Sequence, residues 1–425
     1  MRDFLPEDAT KLRYIETAAR EAAKLYGFQE IITPIVEHHE LLAAKSGEEI
    51  KARIFAFDDL GGRKVALRPE FTASIARLMA TTLRNEPKPM RLFSTGTLYR
   101  YDEPQFGRYR EFWQSNYEIM GSSRLEADVE ILALTDHLLR EVGLQKYWFK
   151  IGHVGILRGL LTEEGLEDEK QNSIMQLLDT KQWKKSLDLA KEFGLSRRGG
   201  EILKKIFETK GSDVSKTLKP LRKELKNYPK SVEALENLQQ IIDLCRAAHI
   251  EFNTSIETGF ARGLEYYTGI IFELLVPEMN IALGGGGRYD KLVELFGGEP
   301  TPAVGVAHGL DRIALAADMQ NVQLESSPKT VAIIPIGDEA IPKAISLASK
   351  LREKGVNTEM EIMGRKVSTS LQSSSRRKVT HAIIIGPKEI EEEKVMLRDM
   401  IKRVQNLVNI EEVLEELSQR RIPVK

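Results

Sequence analysis

Between Met90 and Gly121 the chain reads MRLFSTGTLYRYDEPQFGRYREFWQSNYEIMG. Its polar residues fall into two sets. Arg100, Arg108 and Arg110 gather positive charge around Pro104 and Gly107, residue types that bend a chain. Gln114, Asn116 and Glu118 alternate with Trp113, Tyr117 and Ile119. Strand side chains have period two, so the two amides and the carboxylate share one face, with Phe112 and Met120 beside them. The segment predicts two strands, 92–101 and 111–120, joined by a mobile cationic loop. A surface strand also has a polar face, and that is the ordinary reading of a single alternating strand. Here an arginine closes the partner strand. A cationic hairpin with an amide and acidic floor suits a ligand that is anionic at one end and polar or basic at the other. The chemistry is that of a nucleotide or phosphate site beside a small-molecule pocket.

Other stretches carry chemistry of the same kind. In Arg68-Pro69-Glu70-Phe71-Thr72 the proline pushes Arg68 into extended geometry, as at a strand-to-helix turn. Glu70 and Thr72 then stand at the helix start, either as caps for free N–H groups or as an ammonium-binding pair. Arg262 to Gly269 reads RGLEYYTG and separates two strand-like runs. Gly284 to Gly287, followed by Arg288, Tyr289 and Asp290, form either a flexible turn or a backbone that a flat ligand such as adenine can approach, with Gly286 inside the run. Neither GxxxxGK[ST] nor a GxGxxG that opens a Rossmann unit occurs. Arg312 falls in the first turns of a helix that follows a short apolar strand.

The elements that must position these residues follow from periodicity. A helix is predicted over 10–26 after an opening loop, on Ile15, Ala18, Ala19, Ala22 and Leu25, with Gly27 ending it. Residues 28–36 predict a strand interrupted by Pro34, which fits an edge strand and a boundary with another chain equally. A hairpin over 55–58 and 64–67 precedes a helix to about 83. A helix over 125–142 and a strand over 147–151 come next. Residues from about 160 to 248 turn Lys- and Glu-rich with repeated helical patterns, an insertion into the sheet domain. Its Lys181, Lys184, Lys185, Arg197, Arg198, Lys204 and Lys205 offer a face to RNA, although such charge is ordinarily just solvated. Strands return over 255–258 and 269–276. Beyond a polar linker at 321–329, alternating strands and helices predict a separate α/β domain.

The chain has 425 residues, enough for two or three domains, and 62 Lys plus Arg against 63 Asp plus Glu. Nucleic acid would therefore be met by local patches and not by a global positive field. The single cysteine, Cys245, excludes an intrachain disulfide, fits a reducing compartment and lies in a helical pattern as a buried thiol. No apolar run has the length of a membrane span and the opening MRDFLPEDA is unlike a signal peptide, so a cytoplasmic protein without membrane contact is expected.

Together these stretches resemble the class II aminoacyl-tRNA synthetases, and within them the histidyl-tRNA synthetase family. Tyr99-Arg100-Tyr101-Asp102 through Phe112 is similar to the class's arginine-ended strand and loop. Gly309-Leu310-Asp311-Arg312 is similar to its arginine-bearing helix start, and the first helix with the Pro34 strand to its dimer-interface motif. Residues 262–269 resemble the family's own histidine signature, and Arg68-Pro69-Glu70-x-Thr72 and Gln114-x-x-x-Glu118 match as well. The resemblance covers nearly the whole chain. It implies a synthetase-like antiparallel sheet flanked by helices over 1–325, the helical insertion at about 160–248, and an anticodon-binding-like α/β domain over 329–425. Asp102 stands where the family has Glu, Glu265 where it has Asp, and Phe71 where a smaller residue is common.

The resemblance further implies that ATP and Mg²⁺ activate L-histidine, and that the acyl group passes to tRNA(His) on a homodimer. Arg100 and Arg262 would be catalytic, meeting the α-phosphate from opposite sides. Arg312, Arg108, Asp102 and Gly286 would meet the nucleotide. Glu70, Thr72 and Gln114 would hold the ammonium group, while Glu118 and Tyr267, with Tyr266 and Arg262, would complete the histidine site. No His/Cys cluster suggests a protein-bound metal. The competing reading is a catalytically inactive regulatory subunit of ATP phosphoribosyltransferase. Such relatives lack the C-terminal domain and lose signature residues.

Overall fold

The computed structural model describes residues 1–43, 51–103, 105–180, 182–260, 266–323 and 330–417. The chain divides into two compact units, Met1–Leu324 and Glu325–Lys425.

In the first unit the Met90–Tyr99 and Glu111–Met120 strands pair antiparallel, from Met90 opposite Met120 to Tyr99 opposite Glu111. Onto Glu111–Met120 add, in order, Ala303–Gly309, Gly284–Arg288, Ile270–Leu275 and Trp148–His153, all antiparallel. Short strands widen this core into a nine-stranded sheet. Gln29–Glu30 joins parallel to Met90–Tyr99 and Thr254–Glu257 parallel to Trp148–His153, so the sheet is mixed at its flanks.

Period two sorts the hairpin's side chains. Tyr117 and Ile119 enter a core shared with the Pro6–Leu25 and Leu125–Val142 helices, and the Tyr117 hydroxyl donates to the Ala19 carbonyl at 2.8 Å. Ala18, Ala19, Ala22 and Ala23 are buried on the first of these helices, and such small side chains allow close approach to the sheet. That helix begins at Pro6 and not at Thr10, because proline suits the first helical turn, where its missing N–H costs nothing. Leu125–Val142 ends at Gly143 in the left-handed region (φ 93°), whose N–H meets the Arg140 carbonyl. On the other side of the sheet Met120 and Leu98 pack with Phe71, Ile75 and Tyr267.

The strand expected over 28–36, interrupted by Pro34, divides between two sheets. Gln29–Glu30 joins the large sheet, whereas Val36–His38 joins a three-stranded sheet with Lys64–Leu67 and Ala56–Asp58. Arg68 claims the carbonyls between them, with Nη1 at 2.6 Å from Thr33 O and 3.4 Å from Pro34 O.

The insertion is helical, with a two-residue strand, Lys210–Gly211, on the edge of the large sheet. Its core is continuous with that of the sheet through Leu157, Leu203 and Leu238. Of the basic residues singled out in its sequence, Lys205 pairs with Glu224, Arg197 with Glu201 and Lys204 with Glu208. Lys181 lies outside the described residues. Cys245 is buried, and burial pushes its thiol up to about 12.

The second unit holds a five-stranded sheet. Asn357–Met360, Thr330–Pro335 and His381–Ile385 run parallel, and Lys394–Asp399 and Gln405–Asn409 complete it antiparallel. The Ile341–Glu353 and Ile410–Leu417 helices share one core with this sheet. Among the described residues no helix is long and apolar enough to cross a membrane.

Candidate active site

Phe112, Gln114, Asn116 and Glu118, on one face of Glu111–Met120, floor a cavity. Glu70, Thr72, Arg100, Asp102, Gln114, Glu118, Tyr266, Tyr267, Gly286 and Arg312 all line it, from segments spread over most of the first unit. Arg108 is not among the lining residues; its N–H closes a turn onto the Gln105 carbonyl. Arg262 and Glu265 lie outside the described residues.

Glu118 is the anchor of the floor. It is 1% exposed, and burial pushes its carboxyl up to about 7 against three hydrogen-bond donors. Thr72 Oγ1 donates to its Oε1 at 2.8 Å, Asn116 Nδ2 approaches the same oxygen at 3.4 Å, and the Tyr289 hydroxyl donates to Oε2. Phe71 is the N-cap of the Thr72–Ala80 helix and makes no side-chain capping bond. Thr72 is not the cap of this helix, and its hydroxyl is spent on Glu118. Gly305 lies opposite Glu118 in the neighbouring strand, and a Cβ there would stand 1.5 Å from Glu118 Oε2. Only glycine leaves room for the carboxylate.

Glu70 is buried beside Arg100. Burial raises its carboxyl and the guanidinium opposes that shift. Arg100 is aimed by its Nε, which donates to the Pro69 carbonyl at 2.9 Å, and by Phe112, whose ring lies 5.2 Å below it. Gln114 Oε1 and Asn116 Oδ1 are buried with no hydrogen-bond partner. An orphaned acceptor in a cavity wall is costly unless a ligand's N–H completes it.

The other end of the cavity is cationic. Arg312 donates to the Gly107 carbonyl at 3.0 Å and to the Ala282 carbonyl at 2.8 Å, which fastens the 101–110 loop to the Leu310–Met319 helix. Asp102 accepts from Arg53 at 3.0 Å. The glycine run is a strand in the sheet interior and not a turn. A Cβ on Gly286 would come within 2.0 Å of the Gly305 carbonyl, so its bareness serves strand packing under the cavity. Arg288 ends this strand in a buried pair with Asp128 at 2.8 Å and a second contact to Asp290 at 3.1 Å.

Sequence reasoning gave no role to Tyr289 or Tyr109, which also line the cavity, as do Asn116, read there as part of the polar floor, and Asp311, read there only as part of the Gly309–Arg312 stretch. Tyr289 and Asp311 reach the hairpin from more than 160 residues away.

Comparison with known proteins fits this geometry. A family model described as histidyl-tRNA synthetase matches residues 1–313, and one described as an anticodon binding domain matches residues 330–420. A histidine--tRNA ligase of Methanocaldococcus jannaschii is 41% identical over 97% of both chains. A histidyl-tRNA synthetase structure from Nostoc superposes with a TM-score of 0.81 at 22% identity, covering 99% of this chain and 97% of that one. A Bacillus halodurans structure described as an ATP phosphoribosyltransferase regulatory subunit/histidyl-tRNA synthetase gives 0.77 at 25% identity, covering 91% and 97%. These matches place the fold among synthetases of the aminoacyl-tRNA type. The chain belongs to the histidyl-tRNA synthetase family.

Proposed function

We propose that the protein activates L-histidine with ATP and transfers the histidyl group to the 3′ end of tRNA(His). One observation carries the reading: a buried carboxylate, Glu118, is held by Thr72, Asn116 and Tyr289 in a cavity that also holds Arg100 and Arg312. The histidine imidazole meets Glu118 and Tyr267, with Tyr266 behind. Its ammonium group meets Glu70, Thr72 and the orphaned Gln114 oxygen. An apolar isostere leaves these buried groups unpaired and is rejected.

The histidine carboxylate attacks the α-phosphorus in line, a new P–O bond forms, and pyrophosphate leaves with the electron pair of the broken bond. Nucleophile and electrophile are both anionic, so fixed positive charge lowers the barrier. Arg100 and Arg262 supply it at the α-phosphate, and Arg312 at the outer phosphates, with Arg108 joining from the loop. Guanidinium suits the task because it stays charged and binds two oxygens at once. Asp102 and Gly286 line the nucleotide end. Mg²⁺ would arrive with ATP, since this ion keeps waters and substrate phosphates as ligands, and Glu70, Asp102, Glu118 and Asp311 are the carboxylates that line the cavity.

The C-terminal unit reads the tRNA, in keeping with the anticodon-binding match. A homodimer is supported by exposed apolar residues around the Pro34 segment, Ile32 at 90%, Ile35 at 45% and Val36 at 46%. Sedimentation checks it. The cytoplasm is the compartment proposed, in keeping with a lone buried thiol.

Exchange of labelled pyrophosphate into ATP, run with each of the twenty amino acids, tests the function. Exchange with histidine alone is expected. Absence of exchange from folded, ATP-binding protein would favour the regulatory-subunit reading that one structural neighbour's description includes.

A further inference from the structure

Arg2 lies outside the cavity lining yet touches two residues that form it. Its guanidinium pairs with Asp311, and its Cζ stands 3.6 Å from the centroid of the Tyr109 ring and 4.5 Å from that of Phe4. Tyr109 belongs to the cationic loop and Asp311 to the start of the helix that carries Arg312. The Asp311 side chain is 2% exposed, and its second oxygen accepts the Trp113 backbone N–H from the hairpin. Three segments distant in sequence thus meet at one guanidinium: the opening residues, the loop with its returning strand, and the Arg312 helix. Asp311 needs that cation, because a buried carboxylate without a partner protonates or turns away. A lysine cannot replace it fully, since planar stacking on the Tyr109 ring is a guanidinium property.

We infer that Arg2 is a positioning residue for the nucleotide end of the cavity, locking the 101–110 loop to the helix start that carries Arg312. The inference rests on the proposed function for what the cavity binds, but not for the lock itself. Arg2 has no contact with Glu118, Thr72 or Tyr289, so the amino-acid end stands apart from it.

The test compares the full chain with its Arg2→Met and Arg2→Lys variants in two ways. Pyrophosphate exchange is measured with ATP varied at saturating histidine, and the reverse. Trypsin cleavage after Arg108 and Arg110 reads the loop directly, with or without ATP. Arg2→Met should raise KM for ATP about five- to twentyfold and leave KM for histidine within about twofold. It should also speed cleavage in the loop, with Arg2→Lys falling between. Should Arg2→Met fold poorly, Arg2→Lys combined with Tyr109→Leu in a double-mutant cycle gives the same information, and an ATP effect smaller than the product of the singles supports the lock. Unchanged ATP KM and unchanged cleavage would overturn it. So would equal rises in both KM values, or a lower melting temperature alone, which any structural contact could cause. Failure of wild-type exchange, by contrast, sinks the proposed function while the trypsin comparison still judges the lock.

Discussion

Glu118 joins two demands that usually conflict. In the function proposed here it is buried to discriminate and ionised to attract a basic ring. Its ordinary value of 4.5 rises to about 7 through burial, partly offset by Tyr289, Thr72 and Asn116. The folded, ligand-free protein therefore holds this proton up to about pH 7, whereas the unfolded chain releases it near 4.5. Between those values the folded state binds more protons, so Glu118 makes stability fall as pH rises, and the fall ends above about 7. The signed change in urea midpoint on going from pH 5 to pH 8 should thus be more favourable to the folded state for Glu118→Gln than for wild type. Asp128, raised to about 6 by burial, and His153 and His308, which burial lowers to about 4 and about 3, titrate alike in both proteins and cancel from the signed comparison. Glu118→Ala should raise KM for histidine by about a hundredfold while KM for ATP changes little, as steady-state exchange kinetics will report. A parallel loss for both substrates would remove Glu118 from the histidine site. Gln114 and Glu118 were legible in the sequence because period two puts them on one face. Tyr289 was not, because its partnership with Glu118 exists only once two strand pairings, made through Ala303–Gly309, bring the two segments together.

At the scale of elements, the sheet is shaped around its glycines. Four consecutive glycines have poor strand propensity, and a turn is the natural reading. They form a strand because neighbours on both sides supply the ladder, with Gly286 opposite Phe272 and Val306. Gly305→Ala is the sharper probe, since its Cβ would stand 1.5 Å from Glu118 Oε2 and 2.7 Å from the Tyr117 carbonyl. It should cost about 1–3 kcal/mol in chemical denaturation and abolish histidine-dependent exchange. Wild-type exchange from this variant would show that the carboxylate can move aside without loss. Hairpin and helices were legible to within a few residues, because their periodicity is long and regular. The interruption of 28–36 was legible at Pro34, but the division of its halves between two sheets was not, because Arg68, a side chain from another segment, takes the carbonyls a ladder would need.

For the whole molecule, the change of pattern near the 321–329 linker separated a sheet domain from an alternating α/β domain, and most of that linker lies outside the described residues. A chain ending at Lys329 should keep histidine-dependent exchange and lose tRNA charging by at least about a hundredfold, provided the shortened protein remains folded. Charging assays beside exchange assays decide it, and charging that survives would remove the anticodon-domain role. The insertion was legible as helical, but its purpose was not. A charged helix face looks alike whether it meets water or RNA, and Lys205, Arg197 and Lys204 already have acidic neighbours.

Arg68 does more than interrupt a strand. Its N–H donates to the Ile35 carbonyl at 2.9 Å and its own carbonyl accepts from Tyr99 at 3.1 Å, while its guanidinium grips Thr33 O at 2.6 Å and Thr97 O at 3.2 Å. On one side of this knot lie Ile32, Ile35 and Val36, the exposed apolar stretch; on the other, one residue past Tyr99, lies Arg100. Arg68 thus ties the exposed stretch to the strand end that carries Arg100, so neither can be displaced without straining the same four hydrogen bonds.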